Sequence, residues 1–384
     1  MSILAMIENL QNNTDTFRDA ARIRNLAVLA SLLGPALRGF VRQAAKNRRG
    51  SELHARNPVY FDWTYERDKP ELARLHTAAK RAQWDADRTL DWAASVDPED
   101  PGQDLMPDRH LPFADLAAYS NASPGQRARQ RRDYMAWLLS QFLHGEQGAL
   151  FAAAQVTAAV PWLDGKLYGS TQVVDEGRHV EVFHRYLTTK IEKRYEINDN
   201  LYVIIDSLMS DSRWDIKFLG MQIMVEGLAL GAFGVIRGWT REPLLRELLR
   251  YVIADEARHV HFGVLALAER YTRELAPAEL RDRQDWAFEM ALLLRNRFLI
   301  QEFYDEYYAH AMTRAEWNRH MHASTTMRQF RERMFERIIP NLKRIHLLPD
   351  RLRPHYEEIG LLAYEHLPAA PELTADDLLD EGST

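Results

Sequence analysis

The stretch DEGRHV at residues 175–180 recurs in nearly the same form, DEARHV, at residues 255–260. In a helix, each copy places a Glu and a His three residues apart on one face. A lone Glu precedes each copy by 30 residues within an apolar segment: Glu146 before the first and Glu226 before the second. If one helix continues for about half of this distance past the lone Glu and a second helix returns antiparallel over the other half, the lone Glu and the Glu of the motif lie at the same height. The sequence therefore predicts one half-site, built twice from antiparallel helix pairs.

The residues around these acids predict that they are buried. Apolar side chains share the helical face of each of the four Glu residues. A buried, unpaired carboxylate costs several kcal/mol, and four of them in one core would repel each other unless cations neutralise them. Oxygen and imidazole ligands suit iron or manganese. The predicted ligands of two metal ions are Glu146, Glu176, His179, Glu226, Glu256 and His259.

The acid that precedes each ligand Glu has a predicted role of its own. A ligating His needs its other ring nitrogen held by a carboxylate or a carbonyl. We expect Asp175 to orient His259 and Asp255 to orient His179. Arg178 and Arg258 would balance these carboxylates, although ordinary surface ion pairs are the alternative. Three further histidines point away from the predicted centre and are expected to be surface or hydrogen-bonded residues: His144, His184 and His261.

Over roughly residues 126–272 the chain resembles the ferritin-like di-iron carboxylate superfamily, in which two helices give a Glu each and two give Glu-x-x-His. Similar members include the small subunit of ribonucleotide reductase, the hydroxylases of multicomponent monooxygenases and the aryl-amine N-oxygenases. The resemblance implies two metals in a four-helix core that activates O2. This chain has Phe183, Leu230 and Val252 where those three groups respectively carry Tyr, Thr and an additional ligand His. The resemblance is therefore to the superfamily, and no subfamily is favoured.

Helical periodicity dominates the chain and strand signals are nearly absent, so the predicted fold class is all-α, with a ferritin-like four-helix bundle core and additional flanking helices. We predict one helical domain over residues 1–370, with the core at about 126–272, flanking helices in 1–94 and 278–363, and a mobile acidic tail at 371–384. The predicted helices cover 1–48 with a break at Gly34-Pro35, 71–94, 126–159, 165–193, 199–239, 243–272, 278–311, 314–339 and 351–363.

Composition excludes several kinds of site and partner. The 384 residues include no Cys, which rules out disulfides, iron–sulfur clusters, thiolate zinc sites and a thiol nucleophile. The net charge of −6 gives no reason to expect nucleic acid as a partner. No stretch reaches the roughly 20 apolar residues of a membrane span, and the N-terminus has no secretory signal pattern. We expect a cytoplasmic protein that forms a homodimer.

The resemblance implies a non-heme di-iron oxygenase or oxidase that uses O2 to hydroxylate or N-oxygenate a small organic substrate. Two Fe ions are expected, with a Mn/Fe pair as the alternative. No nucleotide-binding loop is present, so electrons would come from a separate donor protein. One alternative is a radical-generating or two-electron oxidase subunit, and another is an iron storage or ferroxidase protein. The candidate substrate pocket is formed by Leu150, Phe183, Leu230 and Phe233.

Overall fold

The computed structural model describes residues 2–20, 22–46, 48–55, 57–97, 105–374 and 377, and every regular element in these residues is helical. The prediction of an all-α chain is therefore confirmed. The α-helices are α1 (Ile3–Asn12), α2 (Thr14–Ala20), α3 (Leu26–Ala36), α4 (Pro70–Arg81), α5 (Ala86–Thr89), α6 (Ala117–Ser120), α7 (Pro124–Ala159), α8 (Leu163–Tyr186), α9 (Asp199–Ser210), α10 (Trp214–Phe218), α11 (Glu226–Trp239), α12 (Pro243–Glu269), α13 (Pro277–Asn296), α14 (Gln301–Tyr307), α15 (Arg314–Ala323), α16 (Thr325–Phe335), α17 (Ile339–Arg344) and α18 (Arg353–Glu358).

Two helix pairs carry the repeated motif. Helix α7 packs along α8 after the short turn at 160–162, and α11 packs along α12 after the turn at 240–242. The start of α12 is fixed by Pro243 at its first position and by the side chain of Glu242, which accepts hydrogen bonds from the backbone N–H groups of Leu244 and Leu245. Helix α8 also contacts α12, so the two pairs meet along the helices that carry the Glu-x-x-His motifs.

A π-helical turn, Leu219–Val225, joins α10 to α11 and ends one residue before Glu226. The expectation that no stretch has the length and apolarity of a membrane span is wrong: by length and composition alone, the combined helix Trp214–Trp239 could cross a membrane. In its most apolar 18-residue window, 83% is buried inside the protein, as in the core helix of a globular domain.

The predicted break at Gly34-Pro35 is wrong. Helix α3 continues through Pro35 and passes into a π-helical turn, Leu37–Val41. A proline inside a helix removes one backbone hydrogen bond. Here Val28, Leu32 and Pro35 are buried, and α3 packs against α9. Burial of this apolar face offsets the lost bond, so tertiary packing overrides the local signal.

The predicted long helix over 71–94 is also wrong. Helix α4 ends at Arg81, and the short α5 begins only after Asp85, whose side chain caps it. The chain between them is turned so that Gln83 and Trp84 reach the predicted metal centre. Local helical propensity is a weak signal that tertiary hydrogen bonds of this kind can override.

Three other predicted helices contain interruptions. Helices α9 and α10 are separated because Asp211 Oδ1 accepts a hydrogen bond from the backbone N–H of Arg213, at 2.8 Å. Helix α13 stops before Ile300, which adopts a left-handed conformation with φ of 53°. Helices α15 and α16 are separated at Ser324, whose hydroxyl caps α16. The helix predicted at 351–363 is shorter than expected and corresponds to α18.

The predicted mobile tail begins inside the folded part of the chain. The short 3₁₀ turn Ala370–Glu372 contacts α12, and Leu373 packs against the apolar core. Of the remaining tail, residues 375, 376 and 378–384 lie outside the described residues, so the expectation of a mobile segment there stays a prediction.

Candidate metal centre

The six predicted ligands converge in the interior. All six side chains are buried, with at most 4% of any residue exposed. They form two overlapping clusters, and within each the potential ligand atoms lie within 4.8 Å of one another. The first cluster contains Glu146, Glu176, His179 and Glu256, and the second contains Glu176, Glu226, Glu256 and His259.

In the first cluster, three carboxylates surround one imidazole nitrogen. The Nδ1 atom of His179 lies 3.2 Å from Oε2 of Glu146 and 3.5 Å from Oε2 of Glu176. It also lies 3.2 Å from Oε1 of Glu256, which belongs to the other helix pair. The cluster therefore draws ligand atoms from both repeats.

The second cluster has the same plan. The Nδ1 atom of His259 lies 3.4 Å from Oε2 of Glu256 and 3.9 Å from Oε2 of Glu226. It lies 3.1 Å from Oε1 of Glu176, again from the other repeat. Glu176 and Glu256 thus direct one oxygen to each cluster, an arrangement that lets each carboxylate bridge two cations. The repeated spacing in the sequence does not reveal which Glu residues are shared.

The outer nitrogens of both imidazoles face the aspartates that the sequence indicated. Nε2 of His179 lies 3.1 Å from Oδ2 of Asp255, and Nε2 of His259 lies 3.3 Å from Oδ2 of Asp175. Each contact crosses from one repeat to the other. With Nε2 held by a carboxylate, Nδ1 of each ring is left as the nitrogen that faces the clustered glutamates.

Two arginines neutralise these aspartates. Arg178 is 8% exposed and donates through Nη2 to Oδ1 of Asp175 at 2.5 Å and to Oδ2 of Asp255 at 3.0 Å. Arg258 donates to Oδ1 of Asp255. These pairs lie beneath the surface, where solvent screens them less than an exposed ion pair.

Two residues outside the repeats also support the aspartates, and sequence reasoning missed their role. Gln83 donates through Nε2 to Asp175 Oδ1 at 2.7 Å, and Trp84 donates through Nε1 to Asp255 Oδ2 at 2.8 Å. The guanidinium of Arg178 lies over the Trp84 ring, 4.6 Å from its centroid. No local signal in the sequence links the end of α4 to Asp175 and Asp255, since these contacts join residues 92 and 171 positions apart.

The structure places a further polar residue, Gln172, against the second cluster. It lies on α8 one turn before Glu176 and is 1% exposed. Its position, four residues before a predicted ligand, was a usable signal, because residues at this spacing share a helix face.

Protons balance the charge of the clusters when no cation is bound. Burial, together with the neighbouring carboxylate of Glu256, raises the pKa of Glu146 well above its ordinary value. Burial and the carboxylate of Glu176 do the same to the pKa of Glu226. Burial opposes ionisation of His179, but hydrogen bonds to Asp255 and Glu146 outweigh it and raise the pKa of His179 well above its usual range.

The second imidazole follows the same pattern. Burial lowers the pKa of His259, yet the surrounding charges of Glu176 and Glu256 dominate and raise it well above its ordinary value. Burial likewise opposes ionisation of Glu176, but the imidazole of His259 holds the pKa of this carboxyl below its usual range. In the metal-free centre these shifts favour the charged form of both imidazoles and of Glu176, and the neutral form of Glu146 and Glu226.

Four atoms of the clusters lack a hydrogen-bond partner among the described residues: Glu176 Oε2, Glu256 Oε1, Glu256 Oε2 and His259 Nδ1. An unsatisfied buried polar atom costs about 1–3 kcal/mol. These atoms belong to the shared carboxylates and to one imidazole, and a bound cation would satisfy all of them. The buried Glu and His groups can therefore hold metal ions, and the donor set fits two divalent cations that prefer oxygen and nitrogen ligands.

The predicted pocket residues divide between two environments. Phe183 and Phe233 are fully buried and stack at 5.7 Å between ring centroids, and Phe142 packs against both. Leu150 is partly buried. Leu230 lines a small cleft beside α11 and α12 whose enclosed volume is about 10 Å³, enough for about one water molecule. Its walls are Leu230, Ala257, Val260, Arg337, Asn341, Pro368, Ala370 and Leu373.

The remaining histidines lie apart from the clusters. Nε2 of His144 lies 2.9 Å from the backbone carbonyl oxygen of Tyr195. His184 is exposed, and His261 is half-buried. None of the three belongs to either metal-type cluster found in the described residues.

Comparison with protein-family models, with curated proteins and with solved structures gave no match to this chain.

Proposed function

We propose that this protein is a ferritin-like di-iron enzyme that activates O2 to oxidise a small organic substrate. The observation that carries the proposal is the pair of overlapping Glu/His clusters in which Glu176 and Glu256 face both imidazoles. A single buried carboxylate with a histidine has many structural explanations. Two such clusters with shared carboxylates and crossed Asp–His contacts fit a two-metal site far better than an ordinary ion-pair network.

The helix arrangement supports the ferritin-like part of the proposal. Each of four helices contributes ligands: α7 and α11 give one Glu each, and α8 and α12 give Glu-x-x-His. Glu226 is the first residue of α11 and lies in the middle of the continuous helical segment Trp214–Trp239. The two antiparallel pairs meet through α8 and α12. This distribution is the one expected of di-metal carboxylate bundles.

Each group of side chains has a distinct task in this proposal. Glu146, Glu176, His179, Glu226, Glu256 and His259 would hold the two metals. Asp175 and Asp255 fix the imidazole rings, so that both Nδ1 atoms face inward. The buried aromatic cluster of Phe142, Phe183 and Phe233 would exclude water near the first cluster, since Phe142 and Phe183 are each one helical turn from a predicted ligand. Iron bound there would supply the electrons and the Lewis acidity needed to reduce O2 and transfer oxygen.

The cleft beside Leu230 holds only about one water molecule, so a substrate that enters there would require the surrounding helices to move apart. Ala257 and Val260 line the cleft and are the sequence neighbours of the predicted ligands Glu256 and His259. Leu230 lies one helical turn after Glu226. The cleft wall is therefore within one turn of three predicted ligands of the second cluster, which makes it the candidate route for a substrate.

One observation favours a radical-generating or two-electron oxidase as the second candidate. The hydroxyl of Tyr168 is fully buried and has no hydrogen-bond partner among the described residues. Burial raises its pKa, and His259 and Arg258 are the charged groups that oppose this shift most. A neutral tyrosine next to the second cluster is a side chain that one-electron oxidation could use.

The experiment is anaerobic loading with Fe²⁺, removal of free metal, and exposure to ¹⁸O2 with a panel of small aromatic amines and hydrocarbons. Wild type is compared with Glu226→Ala and with Glu181→Ala, which changes an exposed Glu on α8. We expect ¹⁸O in an organic product with wild type and Glu181→Ala. Glu226→Ala should lose the metal of the second cluster, keep the first cluster and give no labelled product. A tyrosyl signal in electron paramagnetic resonance without labelled product would favour the second candidate. Steady accumulation of ferric mineral would favour iron storage instead.

A further inference from the structure

The amide of Gln172 contacts two predicted ligands of the second cluster. Its Nε2 lies 3.1 Å and 3.4 Å from the two carboxylate oxygens of Glu226, and 3.2 Å from Oε1 of Glu176. Gln172, Glu176 and Glu226 are all buried. The Gln172 contact is the hydrogen bond that the described residues provide to Glu226, whose carboxylate is also the most distant of the three from His259 Nδ1.

A second amide fixes the orientation of the first. Gln222, on the π-helical turn before α11, lies with Nε2 3.4 Å from Oε1 of Gln172. With its oxygen facing this donor, Gln172 directs its NH2 group toward the carboxylates. Gln222 fits there because Gly263 on α12 leaves room: a Cβ at residue 263 would lie 2.7 Å from the Cβ of Gln222.

Comparison of the two repeats shows that only one of them carries this pair of amides. Residues 80 apart correspond in the two repeats, as Glu146 corresponds to Glu226 and His179 to His259. The counterparts of Gln172, Gln222 and Gly263 are Val252, Phe142 and Phe183. All three counterparts are buried and apolar, and none has a side-chain N–H to donate. The second cluster therefore has an amide, Gln172, against its carboxylates and a second amide, Gln222, behind the first, whereas the corresponding positions of the other repeat are apolar.

From this asymmetry we infer that Gln172 is a positioning residue for the second cluster, and that the two metal positions of the proposed enzyme differ in affinity because of it. The inference rests on the proposed function. The side-chain N–H group of Gln172 holds the Glu226 carboxylate in place before a cation binds and reduces the repulsion between Glu226 and Glu176. Outer hydrogen bonds of this kind typically change metal affinity by about 10- to 100-fold when they are removed.

The test is an anaerobic titration with Co²⁺ alone, followed by visible absorption and calorimetry, on wild type and Gln172→Met. Methionine keeps the volume and the unbranched shape of glutamine but cannot donate. The matched control is Val252→Ala, at the corresponding position of the other repeat. We expect wild type to bind two Co²⁺ ions, Gln172→Met to lose about 10- to 100-fold in affinity for one of them, and Val252→Ala to keep both affinities.

Combining Gln172→Met with a variant of a single predicted ligand shows which of the two clusters loses metal affinity. In Glu146→Ala, which retains the second cluster, Gln172→Met should weaken the remaining ion. In Glu226→Ala, which retains the first cluster, it should have no effect. If Gln172→Met does not fold when metal-free, Gln222→Met removes the neighbouring amide instead and should weaken the same ion to a smaller extent.

Unchanged affinities in Gln172→Met, or a loss confined to the Glu226→Ala background, would overturn this inference and leave the proposed function intact. A wild-type protein that binds no Co²⁺ and no Fe²⁺ would overturn the proposed function itself. Weakening of one ion, in the Glu146→Ala background and not in the Glu226→Ala background, is a result that a general packing role for Gln172 does not produce.

Discussion

Oε1 of Glu176 lies 3.1 Å from Nδ1 of His259, on a different helix and 83 positions away in the sequence. The other oxygen of Glu176 faces His179, and Glu256 repeats the arrangement in reverse. Since each shared carboxylate connects the two repeats, neither helix pair completes a metal position alone. The consequences of this sharing can be measured.

Removal of the carboxylate behind one imidazole should weaken metal binding while the fold is retained. Asp255→Asn leaves a side chain of the same shape but removes the charge that faces His179 Nε2. We expect a loss of about 10- to 100-fold in affinity for one of two metal ions, measured by titration with Co²⁺. Trp84→Phe is the control, because it removes one donor to Asp255 and keeps the carboxylate. Equal affinities in Asp255→Asn and wild type would contradict the assigned role of Asp255.

Metal uptake should release protons. The pKa values of His179, His259, Glu146 and Glu226 are all raised in the metal-free centre, which favours the protonated form of each group. A cation binds only the deprotonated ligands, so apparent affinity should fall as the pH falls. We expect net release of protons on addition of two equivalents of Mn²⁺, recorded with an indicator dye in weak buffer. Release of no protons would mean that these groups do not bind the cation.

These two predictions depend on features that the sequence revealed to different degrees. The convergence of six ligands and the crossed Asp–His contacts follow from equal spacing and helical geometry, and the structure contains both. The ends of helices were less predictable: Pro35 stays within a helix because its face is buried, and the helix predicted through Trp84 stops because Trp84 bonds to Asp255. Contacts between residues distant in sequence decide both cases, and local periodicity does not record them.

A buried carboxyl outside the centre should make stability depend on pH. Burial raises the pKa of Glu289 to about 8, and Asp285 and Asp19 act in the same direction. Between about pH 5 and 8 the folded chain keeps a proton that the unfolded chain releases, so the free energy of unfolding falls as the pH rises. The glutamine side chain in the Glu289→Gln variant does not titrate in this pH range. Its stability relative to wild type should therefore increase from pH 5 to pH 8 by at least about 1 kcal/mol.

Urea unfolding at pH 5, 6, 7 and 8 measures this difference. Glu181→Gln, at an exposed position of α8, is the control and should follow wild type at every pH. A Glu289→Gln curve parallel to that of wild type would show that Glu289 is already ionised in the folded protein.

The unpartnered hydroxyl of Tyr168 provides a test that separates stability from redox chemistry. Its removal in Tyr168→Phe leaves no broken hydrogen bond among the described residues and eliminates a buried polar atom. We expect the metal-free protein to gain up to about 1 kcal/mol in the free energy of unfolding. A lower stability would indicate that this hydroxyl has a partner in solution. Loss of a tyrosyl radical signal in this variant, if wild type shows one, would identify Tyr168 as its site.

Anomalous X-ray diffraction at the iron absorption edge, on crystals grown with Fe²⁺ without O2, tests the central claim most directly. We expect two peaks per chain about 3.5–4 Å apart, one next to His179 and Glu146 and the other next to His259 and Glu226. Glu176 and Glu256 should lie between them. The absence of any peak among these six side chains, or a single peak held by one helix pair alone, would contradict the account.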